Sequence, residues 1–391
     1  MRQIAIRAVF MRGGTSKALI FRAEELPPDQ HQRDQIFLAA LGSPDPNGRQ
    51  LDGMGGGLSS LSKVCIVGPP SHPKADVDYT FGQVAVGSAS VDYSGNCGNM
   101  SSAIGPFAVD EGIVAALGDE AVVRIHNTNT RKLIVARFPI ADGRALVEGD
   151  LTLPGVAGSG APIRLDFLEP GGAGTGKLLP TGNVSEHLDV PGTDQLEVSM
   201  VDAANPCVFV AADALGMTGI EMPDELERNQ DLLKRLEAIR VAASLRMGIA
   251  KTAEGASAKP SIPKVAMVSA PQAARTLSGE TLCPDDADIT IRMISIGQPH
   301  RAVPLTGAMC LAVASRMEGS IVHPLARRAA SSDAPVRIAQ PSGLTVVGSS
   351  VRRAVAGWVA DHATVYRTAR RLMDGVVYIR ASSLDSSARN A

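Results

Sequence analysis

Aromatic side chains are nearly missing from this chain. Phe, Tyr and Trp make up 3% of its 391 residues, with one Trp among them, so the core has to be built from Val, Ile, Leu, Ala and Met. An excess of charge is missing as well. Lys and Arg number 38 and Asp and Glu 40, a net charge of −2, which gives no reason to expect nucleic acid or an anionic membrane as partner. Small anionic ligands stay open, because they answer to local charge. No apolar run approaches the length of a membrane span. Residues 1–10 alternate charged and apolar side chains like a strand, unlike a signal peptide. Nor do the cysteines organise a metal site: Cys65, Cys97, Cys207, Cys283 and Cys310 form no CxxC pair and no Cys/His cluster of zinc spacing. Their odd number and wide scatter fit a reducing compartment, and the expected location is the cytoplasm.

What the chain has is small residues and punctuation. Hydrophobic residues reach 45% and charged ones 20%, with 39 Gly and 25 Pro. That is a globular composition, long enough for two domains and rich in turns, hence in strands with short connections. Residues 4–10 alternate as a strand, Met11-Arg12-Gly13-Gly14-Thr15-Ser16-Lys17 makes a basic glycine turn, and 18–21 returns as the second arm of a hairpin. The turn can cradle an anion but lacks P-loop spacing. Gln30–Leu41 reads as a helix ending at Gly42. The glycine-rich segment 43–61 is loop-like and delivers Ser62-Lys63 to an apolar strand at 64–67. Partial burial of Lys63 there would lower its pKa and suit it to proton transfer. A strand-end lysine reaching solvent has the same sequence signature.

Further strands are expected at 76–83, 84–93, 122–127 and 133–139, then at 196–202, 207–211, 264–269, 289–295, 337–339, 345–351, 365–369 and 375–379. Residues 224–245 carry apolar side chains at helical spacing and read as one amphipathic helix. The Gly/Pro-rich stretch 169–182 reads as the junction between domains 1–182 and 183–380, with a flexible polar tail at 381–391.

At 95–99, Gly-Asn-Cys-Gly-Asn makes a turn that leads into small and apolar residues suited to a thin helix. Pro106 argues for a kink or an early end. Cys97 would then lie at a helix N-terminus, where free N–H groups and the dipole stabilise a thiolate or a bound carboxylate. A free cysteine in a buried turn fits the spacing equally well. The second half echoes this plan, with strands, a glycine turn at 297–307 and a second small-residue helix at 308–316. Both helices are too apolar for a surface, so each is expected among its own domain's strands. Two such domains facing each other would point both positive helix ends into one cleft, a place for a di- or tricarboxylate. Thr306 stands where the first half has Cys97, and Cys310 lies one turn into the second helix, a packing position.

Taken together, the motifs are recognisable. Met-Arg-Gly-Gly-Thr-Ser-Lys at 11–17, Gly-Ser-Pro-Asp-Pro at 42–46, Asp-Gly-Met-Gly-Gly at 52–56 and Ser-Lys at 62–63 resemble the PrpF family. So do Asp-Tyr-Ser-Gly-Asn-Cys-Gly-Asn at 92–99, Pro-Thr-Gly-Asn at 180–183, Leu-Arg-Met-Gly at 245–248 and Arg-Leu-Met-Asp-Gly at 371–375. The family includes 2-methylaconitate cis–trans isomerase of propionate catabolism, 4-oxalomesaconate tautomerase and methylitaconate Δ-isomerase. Its members share the diaminopimelate epimerase fold. The resemblance therefore implies an α+β protein of two pseudo-symmetric domains, each a β-barrel-like sheet wrapped around a central helix, with the active site between them. Ala18 stands where the family pattern has glycine, and 298–305 departs from it, which bears on the substrate and leaves the motif residues intact.

The resemblance implies that Lys63 and Cys97 are the catalytic pair. Backbone N–H groups of Gly98, Asn99 and Met100 would hold one substrate carboxylate and those of Thr306, Gly307, Ala308 and Met309 another. Thr15, Ser16, Ser62 and Asn96 complete the expected binding set. Diaminopimelate epimerase works with two cysteines, and Thr306-Gly307 at the second helix start disfavours a two-cysteine racemase. Cys207 and His300 are expected outside the chemistry. The expected reaction removes a proton beside a carboxylate-conjugated alkene and returns one at the other end of the allylic system, in an unsaturated acid of the 2-methylaconitate type. A keto–enol tautomerase of an oxalomesaconate-type acid is the alternative. A non-catalytic carboxylate-binding protein is the alternative of another class, and a cysteine-nucleophile hydrolase lacks a partner histidine. No cofactor and no metal are expected. The partners expected are a small carboxylate and, at most, a second copy of the chain.

Overall fold

The alternating opening residues form strand Gln3–Gly13, and a tight turn at Gly14-Thr15 sends the chain back as Ser16–Arg22, antiparallel to it from Val9 opposite Ile20 to Gly13 opposite Ser16. The computed structural model describes residues 3–191, 195–295, 297–328, 334–355 and 357–384. From the hairpin outward the pairing alternates. Ser16–Arg22 pairs parallel with Lys63–Gly68, which pairs antiparallel with Val77–Val84. That strand pairs parallel with Glu120–Asn127, which pairs antiparallel with Lys132–Ala141. The hairpin's other edge is covered by the C-terminal strand Ala369–Arg380, antiparallel along Gln3–Gly13.

The same alternation recurs later in the chain. Leu196–Asp202 pairs antiparallel with Pro206–Ala211, that strand parallel with Lys264–Ser269, and the latter antiparallel with Ile289–Ser295. Ile289–Ser295 pairs parallel with Val336–Gln340, which pairs antiparallel with Gly343–Ala354. Helices fall at matching places: Gln30–Leu41 and Gln230–Arg246 follow the second strand of each set, and Gly98–Asp110 and Leu305–Ser315 follow the fourth. The internal echo is thus one of topology.

Two compact units result, Met1–Leu165 with Tyr366–Ala391, and Asp166–Val365. This division differs from the 1–182 and 183–380 expected from composition. The stretch 169–182 lies inside the second unit, and the last strand belongs with the first because it pairs along Gln3–Gly13. No local signal in a sequence announces a partner that remote. Of the expected tail, 381–384 continues into a short 3-10 turn, Ala381–Ser383, and the rest lies outside the described residues.

In the first unit, Gly98–Asp110 packs against strands Gln3–Gly13, Ser16–Arg22, Lys63–Gly68, Glu120–Asn127, Lys132–Ala141 and Ala369–Arg380. Every residue from Met100 to Val109 is buried, which explains a helix apolar all round. It passes through Pro106 to Asp110, so the expected early end does not occur. One forgone N–H bond is tolerated where strands on all sides hold the helix. The helix Gln30–Leu41 covers the opposite face of the sheet with Ile36, Phe37, Ala40 and Leu41, against Leu19, Phe21, Val64 and Ile66. It ends as expected at Gly42, whose φ of +76 suits glycine.

The second unit repeats the arrangement. Leu305–Ser315 is buried throughout and packs against Leu196–Asp202, Pro206–Ala211 and Gly343–Ala354. The outer cover differs from the single helix expected over 224–245. It is Pro223–Arg228 followed by Gln230–Arg246, because Asn229 breaks the run and caps the second helix, its side chain accepting from the Leu232 N–H at 3.1 Å. Leu232, Leu236, Ile239 and Ala243 then turn inward, each large aliphatic contributing about 1.5–3 kcal/mol on burial.

Candidate active site

Strand Lys63–Gly68 sends alternate side chains to opposite faces of the first sheet. Val64 and Ile66 join the core under Gln30–Leu41. Lys63 and Cys65 take the other face, opposite Gln83 and Phe81 of the neighbouring strand. The Cys65 thiol lies 4.0 Å from the Tyr79 hydroxyl, and both residues are fully buried. Burial pushes the Cys65 thiol up, the nearby Cys97 adds to that, and Tyr79 and Lys63 pull it back. The Tyr79 hydroxyl is likewise raised by burial and then by Cys65 and Cys97. Lys63 and Cys97, remote in sequence, are thus both neighbours of one buried thiol.

Lys63 is 8% exposed. Its Nζ donates to Gln83 Oε1 and lies 5.0 Å from the centre of the Phe81 ring, a cation–π distance. The loop before it is held by side-chain hydrogen bonds. Asp45 accepts from the N–H groups of Asn47, Arg49 and Gln50. Gln50, itself buried, donates to Ser43 Oγ at 2.8 Å and Ser62 Oγ at 2.7 Å and accepts from the Gly57 N–H. Ser62 in turn donates to Val84 O at 2.9 Å. Ser62, expected to touch substrate, is fully buried with its hydroxyl engaged on both sides. It anchors the loop to the sheet.

Cys97 is half-buried and caps Gly98–Asp110, its carbonyl accepting from the Ser101 N–H at 3.0 Å. The N–H groups of Gly98, Asn99 and Met100 precede the first intrahelical donor, so they are the open ones. Those are the expected three. Asn96 accepts from Asn127 Nδ2 and Ser101 Oγ, both at 3.4 Å, which ties the turn to the sheet. Asn99 reaches back to the hairpin turn: its Nδ2 donates to the exposed Thr15 Oγ1 at 3.1 Å, and its Oδ1 accepts from Arg367 Nε at 3.3 Å. Ser16 is buried at the start of its strand.

In the second unit the helix begins at Leu305, earlier than expected. The Ala308 N–H already bonds Pro304 O at 2.9 Å, so the open donors there are Leu305, Thr306 and Gly307, and not Ala308 or Met309. Cys207 and Cys310 are buried, and burial pushes the Cys310 thiol well up. Burial also holds the His300 imidazole down to about 3, leaving it neutral. Among the described residues no group of three or more His, Cys, Asp or Glu is placed to hold a metal, and no helix is long and apolar enough to cross a membrane.

Gln83, Gln50 and Arg367 went unnoticed in the sequence. Only Gln83 left a signal there, a polar residue closing the strand expected at 76–83 and so able to face a neighbouring strand's lysine.

The family description "PrpF protein" matches residues 3–380. The chain is 44% identical to the 3-methylitaconate isomerase of Eubacterium barkeri, covering 98% of this chain and 99% of that protein. It is 37% identical to the 2-methyl-aconitate isomerase of Shewanella oneidensis, over 96% and 97% of the two chains. The crystal structure of a methylitaconate-delta-isomerase superposes with a TM-score of 0.87 at 42% identity, covering 100% of both chains. Likeness of that identity and extent makes the chain a member of the PrpF family, and an isomerase.

Proposed function

We propose that this isomerase moves a proton along the allylic system of a small unsaturated di- or tricarboxylic acid, without a cofactor, using Lys63 and Cys97 as its acid–base pair. One observation supports the pair above others. A buried lysine with no carboxylate partner among the described residues stands on a strand against which the helix opened by Cys97 packs, on the face away from Val64 and Ile66. The motifs 62–63 and 95–99, through which the sequence resembles its family, carry these two residues.

The barrier to such a reaction is the weak acidity of the C–H bond. The Lys63 amine takes the proton from the carbon γ to a carboxylate. The C–H electron pair becomes a new C=C bond, and the electrons of the old double bond move toward the carboxylate as a dienolate. The Cys97 thiol then gives a proton to the α-carbon. The amine is left protonated and the thiol deprotonated until solvent exchanges both, so the substrate's composition is unchanged. The N–H groups of Gly98, Asn99 and Met100, aided by the helix dipole, hold the carboxylate on which charge develops. The methylaconitate and methylitaconate types share the required three-carbon fragment.

Proton NMR in deuterium oxide, with aconitate, 2-methylaconitate, methylitaconate and oxalomesaconate, tests the reading. The expected result is isomerisation with deuterium uptake in a methyl-substituted acid. Lys63→Ala and Cys97→Ser should each lower exchange by about 100-fold or more while the acid still binds. Near-normal exchange in both variants overturns the pair. Turnover of oxalomesaconate alone reassigns the enzyme to keto–enol chemistry.

A further inference from the structure

We propose that Gln83 is the positioning residue for Lys63, a neutral acceptor that aims the amine without adding a negative charge that would keep it protonated. The proposal rests on the reading of Lys63 as the base. Lys63 and Gln83 are direct cross-strand partners, so their side chains share a face. The amide of Gln83 has no freedom in what it offers. Its Nε2 donates to Ser59 O at 3.0 Å and to Ser62 O at 2.9 Å, which uses both of its hydrogens. Turning the amide over would set its oxygen against two carbonyl oxygens. Oε1 is thus the atom presented to Lys63, and Lys63 Nζ donates to it.

The two carbonyls that lock the amide belong to the end of the glycine-rich loop. That end is fixed in turn by the Gln50–Ser62 hydrogen bond. A chain of side chains and backbone therefore runs from Asp45 through Gln50 and Ser62 to Gln83 and ends on the amine. This gives the loop motif 42–46 a part in positioning the amine.

Charge is the second half of the proposal. Among the described residues, the titratable groups around the Cys65 thiol two residues along from Lys63 are Tyr79 on the neighbouring strand and Cys97 at the start of the central helix, neither of them a carboxylate. Beyond Gln83, its other cross-strand partner Asp92 is exposed and accepts from the Ser94 N–H at 2.7 Å. No carboxylate bonds the amine among the described residues. A glutamate at position 83 would supply one at contact distance and favour the ammonium. An amide orients the amine and leaves its proton free to go.

The test is the pH dependence of solvent-deuterium exchange into the acid that exchanges fastest, in full-length Gln83→Met and Gln83→Glu. Gln83→Met removes the acceptor, so the buried ammonium loses support. The acidic limb should move to lower pH, and the maximal rate should fall about tenfold as the amine loses its direction. Gln83→Glu should move that limb up by about one pH unit or more. A merely structural glutamine would change thermal stability and leave the limb in place. If Gln83→Glu does not fold, Gln83→Met decides alone. A folded Gln83→Met with an unmoved limb and an unchanged rate, beside an inactive Lys63→Ala, overturns the role of Gln83 only. Normal exchange in Lys63→Ala overturns the base assignment, and this proposal with it.

Discussion

The Arg367 guanidinium donates through Nε to Asn99 Oδ1 at 3.3 Å, at the first turn of the central helix of its unit. Because Asn99 also gives its Nδ2 to Thr15, its amide is oriented from both ends. Burial lowers Arg367 to about 10, so it stays cationic at neutral pH, and its other bond goes to the Tyr366 carbonyl. A cation that among the described residues is answered by neutral oxygens, beside open helix N–H groups, suits a carboxylate. Arg367→Gln should raise KM about tenfold with a smaller fall in kcat, since a hydrogen bond to a charged group is worth about 1.5–3 kcal/mol. Steady-state kinetics on the preferred acid checks this, and an unchanged KM removes Arg367 from substrate recognition.

The cysteines separate by burial. Cys283 is exposed and Cys97 half-buried, whereas Cys65, Cys207 and Cys310 are buried. Burial raises the Cys65 and Cys310 thiols, so at pH 8 their thiolate fraction is far below that of an ordinary cysteine. Iodoacetamide at pH 8 should therefore label Cys97 and Cys283 in the folded protein and all five cysteines after unfolding. Activity should fall with the label on Cys97, equally fast in Cys283→Ser, and more slowly when substrate is present. Peptide mass spectrometry reads the sites. Label on Cys65 before unfolding would contradict the burial argument.

The glycine-rich loop should loosen in acid. The Asn47 N–H, followed by those of Arg49 and Gln50, holds the Asp45 carboxyl below its usual range. A depressed folded-state value means that its contribution is present above the unfolded value of about 3.9. It is lost as pH falls from there through the folded value. Hydrogen exchange at the amides of Asn47, Arg49 and Gln50 should accelerate over that window before the rest of the unit opens. Asp45→Asn should show the faster exchange already at pH 7. Equal protection in the variant would assign the loop's order to Gln50 alone.

How much of this was legible beforehand depended on the range of the interaction. Gln30–Leu41 with its Gly42 cap was readable to the residue, and so was the helix start after Cys97, because caps and glycine turns are local. The break at Asn229 was local too, yet the apolar spacing continues across it and masks the cap. The return of Ala369–Arg380 to Gln3–Gly13 depends on pairing across nearly the whole chain. Lys63 and Cys97 are proposed as the pair through motifs. Their supports Gln83, Gln50 and Arg367 are ordinary polar residues whose meaning appears only when a strand register or a buried loop sets them against a partner.

The fit between Gly13 and the central helix yields the sharpest stability prediction. A Cβ at Gly13 would lie 2.7 Å from Asn99 O and 3.1 Å from Met100 Cα. Both are backbone atoms, so no side-chain rotation relieves the contact. The strand cannot retreat either, being paired along one edge with Ser16–Arg22 and along the other with Ala369–Arg380. What must give is the helix start, which carries the open N–H groups of Asn99 and Met100. Gly13→Ala should cost about 1–3 kcal/mol by overpacking and lower Tm by several degrees. In the folded fraction it should also raise KM, because the donors move with the helix. Gly87→Ala is the control, since a Cβ there meets nothing within 4 Å. Thermal unfolding and steady-state kinetics on the two variants give the answer. A Gly13→Ala protein as stable and as active as the control would mean that the helix start tolerates displacement and that its N–H groups do not set carboxylate affinity.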